Sequence, residues 1–158
     1  MNADGKQNGI WKAWDEDGTL ASEGTYIKGI KEGAWSESYI KSGVRHTVKC
    51  TYKNGLRERS YQSFWPGGRK YEERVYVKGH EDGPAADWDE NGLITFKGAF
   101  RYNGFSAVGD GLCSLYYYSP QNKLVKREDR TYENGAAGAC VTHYFENSVE
   151  TRVERQNP

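Results

Sequence analysis

Apolar and polar positions along this chain alternate with a period of two, in short runs, and no stretch keeps the 3.6-residue period of an amphipathic helix. Leu20, Gly24 and Tyr26 fall on one side of such a run, and Phe96, Gly98 and Phe100 on one side of another. Turn residues interrupt the runs about every 8 to 10 positions. The turn glycines Gly29, Gly55, Gly79, Gly104 and Gly135 are separated by 26, 24, 25 and 31 residues, with a second turn signal inside each interval. Each interval therefore holds two strands. Asn-Gly pairs begin at residues 8, 54, 91, 103 and 134, and both residue types tolerate the positive φ that a type I′ hairpin turn demands.

The pattern predicts an all-β fold, an elongated antiparallel meander of about six stacked β-hairpin repeats forming a single domain over residues 1–158. The charged alternating run Val149-Glu-Thr-Arg-Val-Glu-Arg is expected as a final edge strand, its charges discouraging pairing with other chains. Trp11, Trp14, Trp35, Tyr39, Phe64, Trp88 and Tyr117 recur near one position of the repeat and are expected in the core.

Composition narrows the function classes. Lys+Arg and Asp+Glu are both 22, so the net charge is zero and nothing pulls the chain toward nucleic acid or an anionic membrane. Aromatics make up 14 %, which argues against disorder, and the 19 glycines suit many tight turns. No apolar run approaches the ~20 residues that span a bilayer, and the first nine residues lack the apolar segment of a signal peptide. Three cysteines without a Cys-x-x-Cys pair suggest reduced thiols in a cytoplasmic protein. Cys113 and Cys140 occupy equivalent positions of neighbouring units. Two strand spacings, about 9.5 Å, exceed the ~7 Å reach of a disulfide, so both are expected as small buried hydrophobes.

At this level the repeat Gly-x-Trp-x-x-Trp/Tyr, turn, Gly-x-Tyr, x-x-Gly resembles the bacterial variant of the MORN repeat, best over residues 9–35 and 79–104. The resemblance implies a non-catalytic binding protein, foremost an immunity or antitoxin protein that neutralises a cognate toxin by direct contact. It also leaves open a scaffold that self-associates through its end strands, or a membrane-surface lipid binder, although net neutrality counts against the last. It supplies no catalytic residues, no metal ligands and no cofactor.

Departures from the repeat mark candidate contacts. The position two residues before the strand-ending aromatic is Gly24, Cys50, Arg74, Gly98 and Arg130. A small residue there lets a neighbouring ring lie over the backbone, and arginine does not. Both arginines sit in one pattern, Lys70-x-Glu72-x-Arg74-x-Tyr76 and Lys126-x-Glu128-x-Arg130-x-Tyr132, which strict alternation puts on one sheet face. Two readings stand side by side: solvated cross-strand ion pairs, or a partner-binding face, since Arg and Tyr are enriched at binding hot spots. Trp65, beside Pro66-Gly67-Gly68, is expected to be exposed at a turn, and the run Tyr116-Tyr117-Tyr118 must turn at least one ring outward, with Tyr116 and Tyr118 as candidates. The longer connection over 104–111 is a further candidate, because long loops carry function more often. His46, His80 and His143 have no ligand-spaced partners, and Gly109-Asp-Gly111 is too short for a phosphate loop.

Overall fold

The computed structural model describes residues 5–158, so residues 1–4 of the stretch read for a leader lie outside the described residues. The chain divides into two compact units, Met1–His80 and Glu81–Pro158. The described residues form antiparallel strands and no helix, so the fold is all-β, and no helix long and apolar enough to cross a membrane is present among them.

The first unit is a meander of β1 (Gly9–Trp14), β2 (Leu20–Ile27), β3 (Ile30–Lys41), β4 (Val44–Lys53), β5 (Leu56–Phe64) and β6 (Lys70–Val77), each paired with the next in sequence. The two-residue β7 (His80–Glu81) follows. The second unit contains β8 (Gly83–Trp88), β9 (Ile94–Tyr102), β10 (Ala107–Gly109), β11 (Gly111–Tyr118), β12 (Leu124–Glu133), β13 (Ala136–Glu146) and β14 (Val149–Gln156). There β9 pairs with both β10 and β11, so part of the long 104–111 connection is itself a short strand. The charged run at 149–155 forms β14, fully exposed and paired with β13.

Two-residue turns with positive φ at both positions recur along the chain. Lys28-Gly29, Ser42-Gly43, Asn54-Gly55, Lys78-Gly79 and Asn134-Gly135 all have positive φ at both positions, the type I′ signature. Of the five Asn-Gly pairs, therefore, only those at 54 and 134 form the expected turn. Asn8, Asn91 and Asn103 keep negative φ. At Asn91 the Asp89 carboxylate accepts from the Asn91 and Leu93 amides, which closes a longer loop instead. The first unit stacks its I′ turns by one recurring device. The Gly29, Gly55 and Gly79 amides donate to the Gln7, Lys31 and Arg57 carbonyls at 2.8–3.0 Å. The preceding amides of Lys28, Asn54 and Lys78 donate to the side chains of Asn8, Glu32 and Glu58. Replacing Glu32 or Glu58 by Ala is expected to cost about 1 kcal/mol each, and the two losses should add, because the sites share no partner. Urea denaturation of the single and double variants checks this.

Cross-strand partners build the core. Trp11 faces Gly24, Trp35 faces Cys50, and Cys50 faces Tyr61, which faces Arg74 on its other side. Trp35 lies over Gly24, as the small-residue position requires: a Cβ on Gly24 would stand 2.1 Å from Trp35 Cδ2. Trp35 also meets Tyr26 and Tyr52 edge-on, with ring centroids 5.0 and 6.0 Å apart. Trp35, Val48, Cys50 and Tyr61 are buried, with Tyr26, Tyr39, Tyr52 and Tyr76 packed against them. In the second unit Gly98 serves Cys113 in the same way, and Ala85, Cys113 and Cys140 are buried. Cys113 and Cys140 flank Arg130 on its two sides and are free thiols, as the strand spacing requires.

Three aromatics expected in the core are exposed. Trp11 and Trp14 lie on β1, which among the described residues pairs only with β2, so there their rings find cover from one side alone. Tyr117 turns its ring toward Lys126 and Glu128 rather than into a core.

Candidate functional site

One face of the first unit carries a charge network above the aromatic layer. Alternation along β3 that buries Trp35 also brings Glu37 and Tyr39 to the same side. Glu37 receives Lys31 in an ion pair, the Tyr52 hydroxyl at 3.3 Å, and Arg57 at 3.7 Å. Burial pushes the Lys31 ammonium down, but the hydrogen bond and charge of Glu37 outweigh it and leave the pKa raised. Burial, then the Glu37 charge, push the Tyr52 phenol up; burial, then Tyr39 and Glu72, do the same for Tyr61. Arg57 stacks over Tyr61 and Tyr76, 5.0 and 5.7 Å from the centroids. Glu37, Tyr39, Lys41, Arg57, Tyr61 and Glu72 line a depression of about 340 Å³.

Beside it lies an aromatic cage that the sequence did not signal. His46 is 2 % exposed and is held among Tyr39, Trp65 and Tyr71, with centroid distances of 5.3, 4.9 and 4.3 Å. Its neighbours come from two separate strands and a turn, so no local pattern points to the cage. Lys41 donates to the Tyr71 hydroxyl across the cage at 2.5 Å. Burial, then the Lys41 charge, hold the imidazole below its ordinary range, against a hydrogen bond to the Phe64 backbone. The folded state thus takes up a proton at lower pH than the unfolded state. Stability is full above pH 6.5, the ordinary imidazole value, and falls as pH drops from there through the folded-state pKa. Thermal melts at stepwise pH should show this decline, and His46→Gln should flatten it.

The candidate residues divide between the units. Glu72, Arg74 and Tyr76 share the face of the depression. Arg74 Nη1 donates to the Glu73 carbonyl at 2.9 Å, Glu72 stands 3.8 Å from Lys41, and Tyr76 packs on Tyr61. Lys70 does not join them. Ser63 faces Glu72 while Phe64 faces Lys70, so a bulge at Tyr71 flips Lys70 to the opposite face, where it pairs with Glu73 at 3.0 Å. On β12 the corresponding bulge precedes Lys126, since Tyr117 faces Lys126 and Tyr118 faces Leu124. Lys126, Glu128, Arg130 and Tyr132 therefore stay on one face. Lys126 pairs with Glu128 at 3.0 Å and lies 3.8 Å above the Tyr117 ring, and Tyr132 lies over Gly109.

Trp65 is half-buried against His46 and Tyr71 rather than exposed. Tyr116 is half-buried, Tyr118 is tied to the Ile94 carbonyl at 2.9 Å, and the outward ring of the run is Tyr117. Glu37 and Arg57 were missed. The signal was present: alternation from buried Trp35 places a carboxylate on an aromatic face, where it needs a cation.

The other face of the first unit carries a groove of about 530 Å³ lined by the short side chains of Thr25, Ala34, Ser36, Thr51 and Ser60 and by the longer Ile10, Glu23, Lys49 and Gln62. A scan against protein-family models finds no match for this chain, and a search of curated proteins finds none either.

Proposed function

We propose that this chain is a non-catalytic protein-binding module acting in the cytoplasm, foremost a bacterial immunity or antitoxin protein that neutralises a cognate toxin by covering it. The observation that carries the reading is the depression among Glu37, Tyr39, Arg57, Tyr61 and Glu72. Its rings and charges are held by one another in the free chain, so a partner meets them already ordered and little side-chain entropy is lost on binding. Tyr and Arg are the side chains that anchor interfaces most often, and Arg74 and Tyr76 extend the same surface. The repeat's resemblance to bacterial MORN variants supplies the partner class.

The test is co-expression with candidate toxic polypeptides, starting from any encoded by a neighbouring gene, read by growth and by isolation of a stoichiometric complex. Rescue with a stable complex is the expected result; growth arrest without a complex overturns the reading. Within such a complex, Arg74→Ala combined with Arg130→Ala should weaken binding at least about tenfold while the melting temperature shows the chain still folded. Unchanged affinity would remove both arginines from the contact.

A further inference from the structure

The face of the first unit that holds the groove also carries an exposed ridge along its I′ turns, outside the groove's own lining. Ile27, Ile30, Leu56 and Val77 form an aliphatic ridge along the I′ turns, each roughly half exposed. Successive turns stack there: Ile30 lies under Gly55 and Leu56 under Gly79. Lys28, Lys53 and Lys78 stand along the same ridge, exposed and without ion pairs among the described residues, as is Lys49 in the groove itself, whereas Lys12, Lys31, Lys41 and Lys70 are paired. Lys28 and Lys78 also hold φ of 52° and 51°, a left-handed conformation that asparagine, present at the equivalent Asn54, adopts with less strain. A local rule is broken twice in favour of a free cation.

We propose that this groove receives an amphipathic α-helix of a partner protein, its apolar stripe on the short-side-chain floor and aliphatic ridge, its acidic residues against Lys28, Lys53 and Lys78. The proposal rests on the reading of the chain as a protein-binding module but uses the face opposite the depression. Charge complementarity selects an acidic partner. Backbone chemistry selects a helix over an extended strand. Every I′ turn amide on the rim already donates within the unit, to Gln7, Lys31 and Arg57 carbonyls or to Asn8, Glu32 and Glu58 side chains. A strand would find no donors there, while a helix satisfies its own backbone. The reach also fits: Lys28 and Lys78 belong to turns four strand spacings apart, about 19 Å, which roughly 13 helical residues span. The interleaved carboxylates of Glu32 and Glu58 favour discrete acidic contacts over a uniform anionic surface.

The probe is a fluorescein-labelled synthetic amphipathic helix with one leucine face flanked by glutamates, measured by anisotropy at low salt against the whole chain. Binding is expected, and the Lys28→Asn, Lys53→Gln, Lys78→Asn triple variant should weaken it about tenfold or more. Its melting temperature should not fall, because asparagine relieves the left-handed positions. Ala34→Arg, at an exposed floor position paired with Thr51, should abolish binding with the fold retained. A helix with lysines in place of glutamates should not bind. Failure of the acidic helix to bind, or equal binding by the triple variant, overturns the proposal. So does lysine-dependent sedimentation with phosphatidylserine vesicles when the helix does not bind. A toxin complex insensitive to the triple variant and to Ala34→Arg would overturn it and leave the function above standing. Helix binding without any toxin complex would support it while removing the immunity role.

Discussion

Gly24→Ala is expected to destabilise the first unit by about 3 kcal/mol, the upper end of what overpacking costs. The added Cβ would sit 2.1, 2.3 and 2.6 Å from Cδ2, Cε2 and Cγ of Trp35. These are ring atoms of a side chain that is 3 % exposed, not the far end of a flexible chain. The indole has nowhere to go, because Tyr26 meets it on one side, Tyr52 on another, and Lys31 Nζ stands 4.2 Å from its centroid. At about 2–4 °C per kcal/mol for a chain of this size, the melting temperature should fall by roughly 10 °C. A double-mutant cycle makes the cause testable. In a Trp35→Leu background the clash partner is gone, and Gly24→Ala should then cost less than about 1 kcal/mol. Equal costs in both backgrounds would mean that the ring contact is not what requires glycine.

Glu37→Ala is expected to cost about 2 kcal/mol, because it removes the one carboxylate that answers Lys31, Arg57 and the Tyr52 hydroxyl together. Lys31 would stay under the Trp35 and Tyr52 rings with its charge uncompensated. Glu37→Gln keeps the acceptor and the shape but not the charge, so it should recover part of the loss. The Lys31 ammonium should also titrate lower in Glu37→Ala, since the hydrogen bond and charge that raise it come first from Glu37. Chemical denaturation reads the first effect and NMR titration the second. A variant as stable as the parent would mark the network as surface decoration.

The fold was legible because hairpins are local. Period-two alternation and regularly spaced turn residues suffice to write an antiparallel meander, and the small residue at Gly24 foretold a ring over the backbone, whereas Gly98 takes the Cys113 thiol instead. Turn type was only half legible. Lys28-Gly29 and Lys78-Gly79 form the same turn as Asn54-Gly55, since strand twist and the stacked neighbour impose it, while Asn91-Gly92 closes a longer loop around Asp89.

The candidate face was read less well, and bulges are the reason. Two identical spacings, Lys70 to Tyr76 and Lys126 to Tyr132, differ in the structure because the bulge falls inside the first and before the second. One extra residue exchanges the faces of everything beyond it.

What the sequence by itself determined is the strand-turn rhythm, the position that must stay small, and the impossibility of a Cys113–Cys140 bridge, all consequences of chain geometry over a few residues. Only the tertiary structure decided where each bulge lies, which carboxylate answers which cation, and that His46 is enclosed by Tyr39, Trp65 and Tyr71. Those depend on residues far apart in the chain reaching one place. Register between strands, which sets that meeting, is fixed by packing across the sheet rather than by any single segment.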